Sequence, residues 1–283
     1  MSSVARQEGR HALPIGARFY VWAVALFVLG PFVPLLIQSL AFRWDWPHLL
    51  PTQWWLTARQ TARLPLGWDY VLSPYSRLGE ATLNTVLIGG LTTLLCLVIC
   101  MPAARVLARE RFVGKRFIEF YLALPLIVPE AAVGLALSLL FVRIGLTGNV
   151  AGVVLAHLIP TIPYMLRLLT AVYQGLDRQY EEQAYTLGAS RWQALRLVTL
   201  PMLLPGVIAG CLFTFLVSTN LFLLTFLLGQ GRIITLPTLL FSKLAGGQLD
   251  ASTAGIALVA ALPGALLLLV SERAMRQQLW LGR

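Results

Sequence analysis

Six apolar runs dominate this chain, and their lengths suit helices that cross a lipid bilayer, although the last run is short. About 20 apolar residues span the hydrocarbon core, where one segment can satisfy its own backbone hydrogen bonds only as an α-helix. Charged residues make up 12% of the chain, against roughly 25% in soluble domains. The sequence therefore predicts an all-α integral membrane protein with about six transmembrane helices. The runs cover Phe19–Ala41, Leu83–Ala108, Phe117–Phe141, Val150–Val172, Leu203–Leu228 and Ala254–Val270.

The positions of the basic residues predict the orientation of the chain. Lys and Arg accumulate in the cytoplasmic loops of membrane proteins. With the N-terminus inside, fifteen of the 22 Lys and Arg residues face the cytoplasm. We therefore expect both termini to be cytoplasmic. The predicted organisation is a cytoplasmic tail at 1–18, a first transmembrane helix at 19–42, a periplasmic loop at 43–80, a membrane core at 81–275 that includes a cytoplasmic loop at 177–201, and a cytoplasmic tail at 276–283.

A patterned polar segment, Tyr180–Gly206, separates the fourth apolar run from the fifth. The pattern predicts a short helix that ends before Gly188, with Ala184 and Leu187 on one face. Glycine adopts positive φ without strain, so Gly188 permits a sharp reversal of the chain. Ser190 can then cap a second helix that extends to about Val198. The result would be a helix-turn-helix unit that projects from the membrane and fits a groove in a partner.

The same segment resembles the EAA loop of permease subunits of binding-protein-dependent ABC importers of type I. That loop contains Glu-Ala-Ala, a glycine, an isoleucine and Leu-Pro at fixed spacings. This chain carries Glu182-Gln183-Ala184, Gly188, Val198 and Leu200-Pro201 at the same spacings, with Gln183 and Val198 as departures. The resemblance implies that the loop couples to an ATPase. The residues expected to do so are Glu181, Glu182, Gln183, Ala184, Leu187, Gly188, Ala189, Leu200 and Pro201.

The resemblance also implies the setting in which the chain works. Such a permease lies in the bacterial inner membrane and passes a small solute by alternating access. Its expected partners are ATP-binding cassette ATPase subunits, a second homologous permease, a solute-binding protein and the lipid bilayer. The chain has no G-x-x-x-x-G-K-[ST] phosphate loop of its own, so we expect no cofactor here and ATP hydrolysis on a separate subunit.

A single carboxylate, Glu130, lies inside the third apolar run, directly after Pro129. An ionisable group at membrane depth usually faces a cavity or a partner. Pro125 and Pro129 remove backbone donors and are expected to break this helix. Two interpretations remain open. Glu130 either lines the translocation path and attracts a cation, or it satisfies free amides at a helix start.

The fifth run contains Ser218-Thr219-Asn220, which we expect to line the same path. This region resembles spermidine and putrescine permeases, although the acidic residues that such permeases commonly carry here are absent. The resemblance makes a polyamine or related organic amine the expected substrate, with a zwitterionic or neutral solute as a competitor.

Other classes of function find less support in the sequence. A stand-alone secondary transporter or channel would need intramembrane ionisable residues for coupling, and Glu130 is the clear candidate. The net charge of +10 is dispersed among loops, with no basic stripe for nucleic acid. The chain shows no clustered metal ligands and no catalytic motif, so neither a metal site nor a membrane enzyme is predicted. His157, within the fourth run, could form hydrogen bonds between helices.

Overall fold

The computed structural model describes residues 15–44, 47–54, 66–247 and 250–281. The all-α prediction is confirmed, with one addition: a short antiparallel pair, β1 (Ala41–Arg43) and β2 (Gln53–Trp54). The undescribed residues are 1–14 of the predicted tail at 1–18, 45–46 and 55–65 of the predicted periplasmic loop, 248–249, and 282–283 of the predicted C-terminal tail. The helices are α1 (Ile15–Leu29), α2 (Phe32–Leu40), α3 (Leu66–Val71), α4 (Leu78–Arg109), α5 (Lys115–Ala123), α6 (Glu130–Arg143), α7 (Val150–Gly175), α8 (Gln179–Thr186), α9 (Arg191–Ala194), α10 (Leu200–Asn220), α11 (Phe222–Gly229), α12 (Leu236–Ala245) and α13 (Ala251–Leu281).

Three helical stretches of the described chain are long and apolar enough to cross a membrane: Leu78–Arg109, Val150–Gly175 and Arg191–Asn220. The count rises to five if each of two bent helix pairs is one span. The sixth predicted crossing falls in α13, whose apolar part is Ala251–Leu267. The predicted runs therefore correspond to helices, but several of them are bent or broken.

Proline breaks the third predicted span. Helices α5 and α6 meet at 93°, and the chain between them forms a 3₁₀ turn at Leu124–Leu126. Pro129 adopts an extended conformation with ψ of 133° and immediately precedes α6. The expected break at Pro125 and Pro129 is confirmed. It arises because proline cannot donate the backbone hydrogen bond that a continuous helix needs.

The fifth predicted span is broken as well, at a position where the sequence carries no helix-breaking residue. The run Leu203–Leu228 divides into α10 and α11 at Leu221, whose ψ of 93° is not helical. A short break at this depth frees backbone amides at the start of α11. Such amides need partners from elsewhere in the protein, because the hydrocarbon offers none.

The core of the bundle lies where α4, α7 and α10 pack together. Its buried side chains include Cys96 of α4, Met165 of α7 and Leu203 of α10. Gly206 lets α10 approach α7 closely, since a β-carbon at this position would overlap the side chain of Val172. This contact fixes the start of α10, and with it the segment that precedes α10, against the membrane helices.

Candidate coupling segment and membrane path

The coupling segment, residues 177–201, begins with α8 and reverses at Gly188. The N–H of Gly188 donates to the carbonyl of Tyr185, and the N–H of Ala189 donates to that of Ala184, both at 3.0 Å. Gly188 itself has φ of +86°. These bonds and this conformation constitute a Schellman motif, and the predicted reversal is confirmed. Apart from its chain neighbours, no atom of the described residues stands within 4 Å of the missing β-carbon, so glycine is needed here for its backbone conformation.

Ser190 caps the second helix of the segment, as predicted. Its Oγ accepts from the N–H of Gln193 at 3.3 Å, and the Gln193 Oε1 accepts from the N–H of Ser190 at 2.8 Å. This reciprocal pair is a capping box.

The prediction that the second helix ends near Val198 is wrong. This helix continues through a π turn at Leu195–Thr199 into α10, so Leu200-Pro201 lies within a continuous helical stretch. In a regular α-helix the ring of Pro201 would collide with the carbonyl of Leu197. The π turn directly before it is the irregularity that accommodates the proline. The second helix of the coupling segment is thus the extension of a membrane span.

Glu181 holds the coupling segment against the membrane bundle. Its Oε2 lies 3.0 Å from Nη2 of Arg105 on α4, and its Oε1 accepts from the Thr199 hydroxyl at 2.9 Å. The residue is only 7% exposed. Both carboxylate oxygens therefore have partners within the chain. This geometry gives Glu181 a positioning role, in place of the expected contact with an ATPase.

The exposed surface of the segment differs from the expected one at Ala184. Ala184 is buried against its own chain, whereas Leu187 is 88% exposed. The prediction that they share one face is wrong, because α8 ends at Thr186 and Leu187 turns outward. Trp192, at 68% exposure, extends the apolar surface. Of the other predicted coupling residues, Ala189 is partly buried, and the exposed ones are Glu182, Gln183, Gly188, Leu200 and Pro201.

Glu130 accepts a hydrogen bond across the bundle from a freed backbone amide. Its Oε1 lies 3.2 Å from the backbone nitrogen of Leu224, in the first turn of α11. The second interpretation of Glu130 is therefore supported, with one difference: the helix start it serves belongs to α11 rather than to its own helix. The negative carboxylate also interacts favourably with the positive, N-terminal end of the α11 helix dipole.

His157 connects the two halves of the broken span. The imidazole is buried, with Nδ1 at 2.9 Å from the Ser218 Oγ on α10 and Nε2 at 2.9 Å from the Thr225 Oγ1 on α11. The Thr225 hydroxyl already donates to the carbonyl of Leu221 at 3.0 Å. We therefore assign Nε2 as the donor to Thr225 and Nδ1 as the acceptor from Ser218. Of the two roles open to His157 from the sequence, packing and hydrogen bonding between helices, the structure shows both in one buried residue.

The residues predicted to line the path have unequal access to it. Ser218 is engaged with His157, and Thr219 is buried with its methyl group near Gly89 of α4. Asn220 is exposed, and its amide donates to the Leu216 carbonyl at 2.7 Å. A cavity of about 190 Å³ adjoins the break. Its lining includes Pro125, Glu130, Pro160, Tyr164, Leu221 and Leu224.

The partners of these side chains were not indicated by the sequence. Arg105 falls among other basic loop residues, and Thr199 and Thr225 look like ordinary polar residues near apolar runs. Each becomes notable only through a contact with a residue at least 18 positions away. The helical extension and the fold around the break bring these distant positions together.

Residues 97–278 match the family of binding-protein-dependent transport system inner membrane components. This match covers more than half of the chain and includes the coupling segment. The chain belongs to this family. It is thus an integral, multi-pass membrane subunit of a transport system, and not an enzyme. The predicted resemblance to ABC importer permeases is confirmed at this level.

Relatives with known names sharpen the comparison. The molybdenum transport permease ModB of Mycobacterium tuberculosis is 32% identical over 233 residues, which cover 77% of this chain and 80% of ModB. ModB of Escherichia coli K12 is 29% identical over 220 residues, covering 72% and 93%. The sulfate permease CysT of Salmonella typhimurium is 32% identical over 160 residues, covering 52% and 57%.

A solved structure supports the fold. A bacterial ABC transporter involved in the import of the acidic polysaccharide alginate aligns with a TM-score of 0.69 at 18% identity, covering 92% of this chain and 95% of the other. The predicted closeness to spermidine and putrescine permeases is not supported, since the relatives above are molybdenum and sulfate permeases. The sequence agrees in one respect, because Ser218-Thr219-Asn220 supplies no carboxylate for an organic cation.

Proposed function

We propose that this chain is the permease subunit of an ATP-driven importer of a tetrahedral oxyanion, of the molybdate or sulfate class. The proposal rests on the named relatives together with the chemistry beside the break in the fifth span. Among the described residues, Glu130 is the one carboxylate that lines the 190 Å³ cavity, and it accepts a hydrogen bond from the Leu224 amide. The nearby Ser218-Thr219-Asn220 adds no acid that could pair with an organic cation.

The coupling segment would transmit the work of the ATPase to the membrane path. Glu182, Leu187 and Trp192 form its exposed surface and would seat in a groove of the ATPase. Because α9, the π turn and α10 are one continuous helical stretch, a displacement of the segment moves the fifth span directly. That span ends at the break beside Glu130 and His157. ATP binding would then turn the path outward, and hydrolysis would reset it.

The proposed assembly contains two permease subunits, two ATPase subunits and a solute-binding protein that delivers the anion. The cytoplasmic location of both termini and of the coupling segment belongs to this proposal. A stand-alone transporter would work without the ATPase, so the dependence of uptake on ATP separates the two classes.

Transport by the reconstituted complex tests the proposal. Proteoliposomes that contain the permease, its ATPase and its binding protein should accumulate radiolabelled molybdate or sulfate only when ATP is enclosed with the ATPase. Spermidine should neither accumulate nor compete. Accumulation of spermidine without either oxyanion would refute the substrate class, and uptake without the ATPase would refute the importer mechanism.

A further inference from the structure

An arginine-lined cavity lies at the base of the coupling segment, well apart from the membrane path. Its volume is about 510 Å³. It is bounded by the end of α4, by α8 and by the first residue of α9. The lining residues are Arg105, Val106, Arg109, Glu110, Arg178, Glu181, Tyr185 and Arg191.

The charges of this cavity do not balance. Four guanidinium groups line it, against two carboxylates. Arg105 is paired with Glu181 at 3.0 Å, and Arg178 with Glu182 at 3.2 Å. Within the described part of the chain, neither Arg109 nor Arg191 forms an ion pair. Glu110 is the one lining carboxylate of the described residues without an ion pair, so the two unpaired arginines leave the cavity with a surplus of positive charge.

Arg109 has buried donors to offer. Its Nε and Nη2 atoms are shielded from solvent and have no hydrogen-bond partner among the described residues. A buried donor without an acceptor is unfavourable, and Arg109 also lines the cavity, so an acceptor that reaches its guanidinium group from there would stabilise the side chain. Guanidinium Nε–H and Nη–H groups form a fork that matches two oxygens of a phosphate or similar oxyanion.

We propose that this cavity binds a tetrahedral oxyanion through Arg109 and Arg191. The ligand is either a free anion such as inorganic phosphate or the phosphate of a lipid headgroup, since both present the same oxygens. A bound anion would bridge the end of α4 and the start of α9, and so brace the coupling segment against the bundle. This inference goes beyond the proposed function and does not depend on which solute is transported.

Calorimetric titration of the assembled permease–ATPase complex with inorganic phosphate tests the inference. The complex is held in a maltoside detergent, which contains no phosphate. One phosphate should bind per permease chain. Arg109→Gln should weaken binding at least tenfold, whereas Arg116→Gln should not change it. Arg116 is an exposed arginine of α5 outside the cavity and provides the same loss of charge.

A second variant guards against loss of assembly. Arg191 is exposed at the first position of α9, so Arg191→Gln removes a ligand without emptying a buried site and should also weaken phosphate binding. Equal weakening by Arg116→Gln would show only a general effect of charge and would overturn the proposal, as would absence of phosphate binding to the native complex.

Lipid composition then distinguishes the two sources of the oxyanion. The titration is repeated in nanodiscs of phosphatidylglycerol. If the natural ligand is a lipid headgroup, the lipid should occupy the cavity, and the phosphate binding seen in detergent should disappear in these nanodiscs. At high phosphate concentration, phosphate should displace the headgroup, and this displacement should depend on Arg109. If it is a free anion, the affinity should be the same in both. Either result requires the same arginines and supports the site.

Discussion

The carboxylate of Glu130 and the backbone nitrogen of Leu224 lie 3.2 Å apart, which ties the start of α6 to the start of α11. The third and fifth predicted spans thus meet at their breaks, where the third supplies a hydrogen-bond acceptor and the fifth supplies a donor. Pro129 ends the irregular segment before α6, and Glu130 is the first residue of that helix. The break at Leu221 interrupts the fifth span and frees the N–H of Leu224, which donates a hydrogen bond to the Glu130 carboxylate.

This contact predicts the behaviour of two substitutions at position 130. Glu130→Gln retains an acceptor oxygen, so uptake should stay within about twofold of the native rate. Glu130→Leu removes the acceptor and leaves the Leu224 amide unsatisfied, at a cost of about 1–3 kcal/mol. Its complex should melt at a lower temperature and transport more slowly. The melting temperature of the purified complex reports the stability of each variant, and oxyanion uptake at matched expression reports its transport rate. A strong loss in Glu130→Gln alone would instead assign the charge to transport.

The conformation of Gly188 predicts a loss of coupling without a loss of insertion. A β-branched side chain at φ of +86° is strained by about 1–2 kcal/mol. Gly188→Val should therefore abolish stimulation of the ATPase by the loaded binding protein, while Gly188→Asn should be milder because asparagine tolerates this region. Gly90→Val is the matched control, since Gly90 also has open space but an ordinary helical conformation. Normal uptake in Gly188→Val would contradict a role for the turn.

His157 predicts an effect on stability that arises at the break in the fifth span. His157→Phe keeps the ring but loses the hydrogen bonds to Ser218 and Thr225, which should lower the free energy of unfolding by about 1–3 kcal/mol. The thermal midpoint of the purified complex reports this loss. His48→Phe, a change at an exposed loop residue, should leave the midpoint unchanged. Equal midpoints for the two variants would exclude His157 as a link between α10 and α11.

Cysteine labelling checks the orientation. In a background without Cys96, Cys100 and Cys211, Ser190→Cys should react with an impermeant maleimide only from the cytoplasm. Tyr75→Cys precedes α4 at the opposite end of the span and is 86% exposed, so it should react only from outside. The reverse pattern would invert the topology and remove the coupling segment from the reach of an ATPase.

Local patterns determined much of this protein. Apolar run length decided that the chain is a helical membrane protein, because hydrocarbon accepts a single spanning segment only as a helix. Gly188 and Ser190 specified their turn and cap, since positive φ and the capping box depend on neighbouring residues alone. Pro125 and Pro129 likewise predicted the break before α6, because proline has no backbone N–H to donate.

Tertiary structure decided which side chains are free to act. Glu181 and Glu182 are adjacent and alike in sequence, yet Arg105 and Thr199 bury the first while the second stays exposed. The break at Leu221 carries no proline or glycine, and its partners Glu130 and His157 lie more than 60 positions away. The fate of a polar group in a membrane protein depends on the donors and acceptors that packing brings within about 3 Å of it. Those distances are set only when the helices meet.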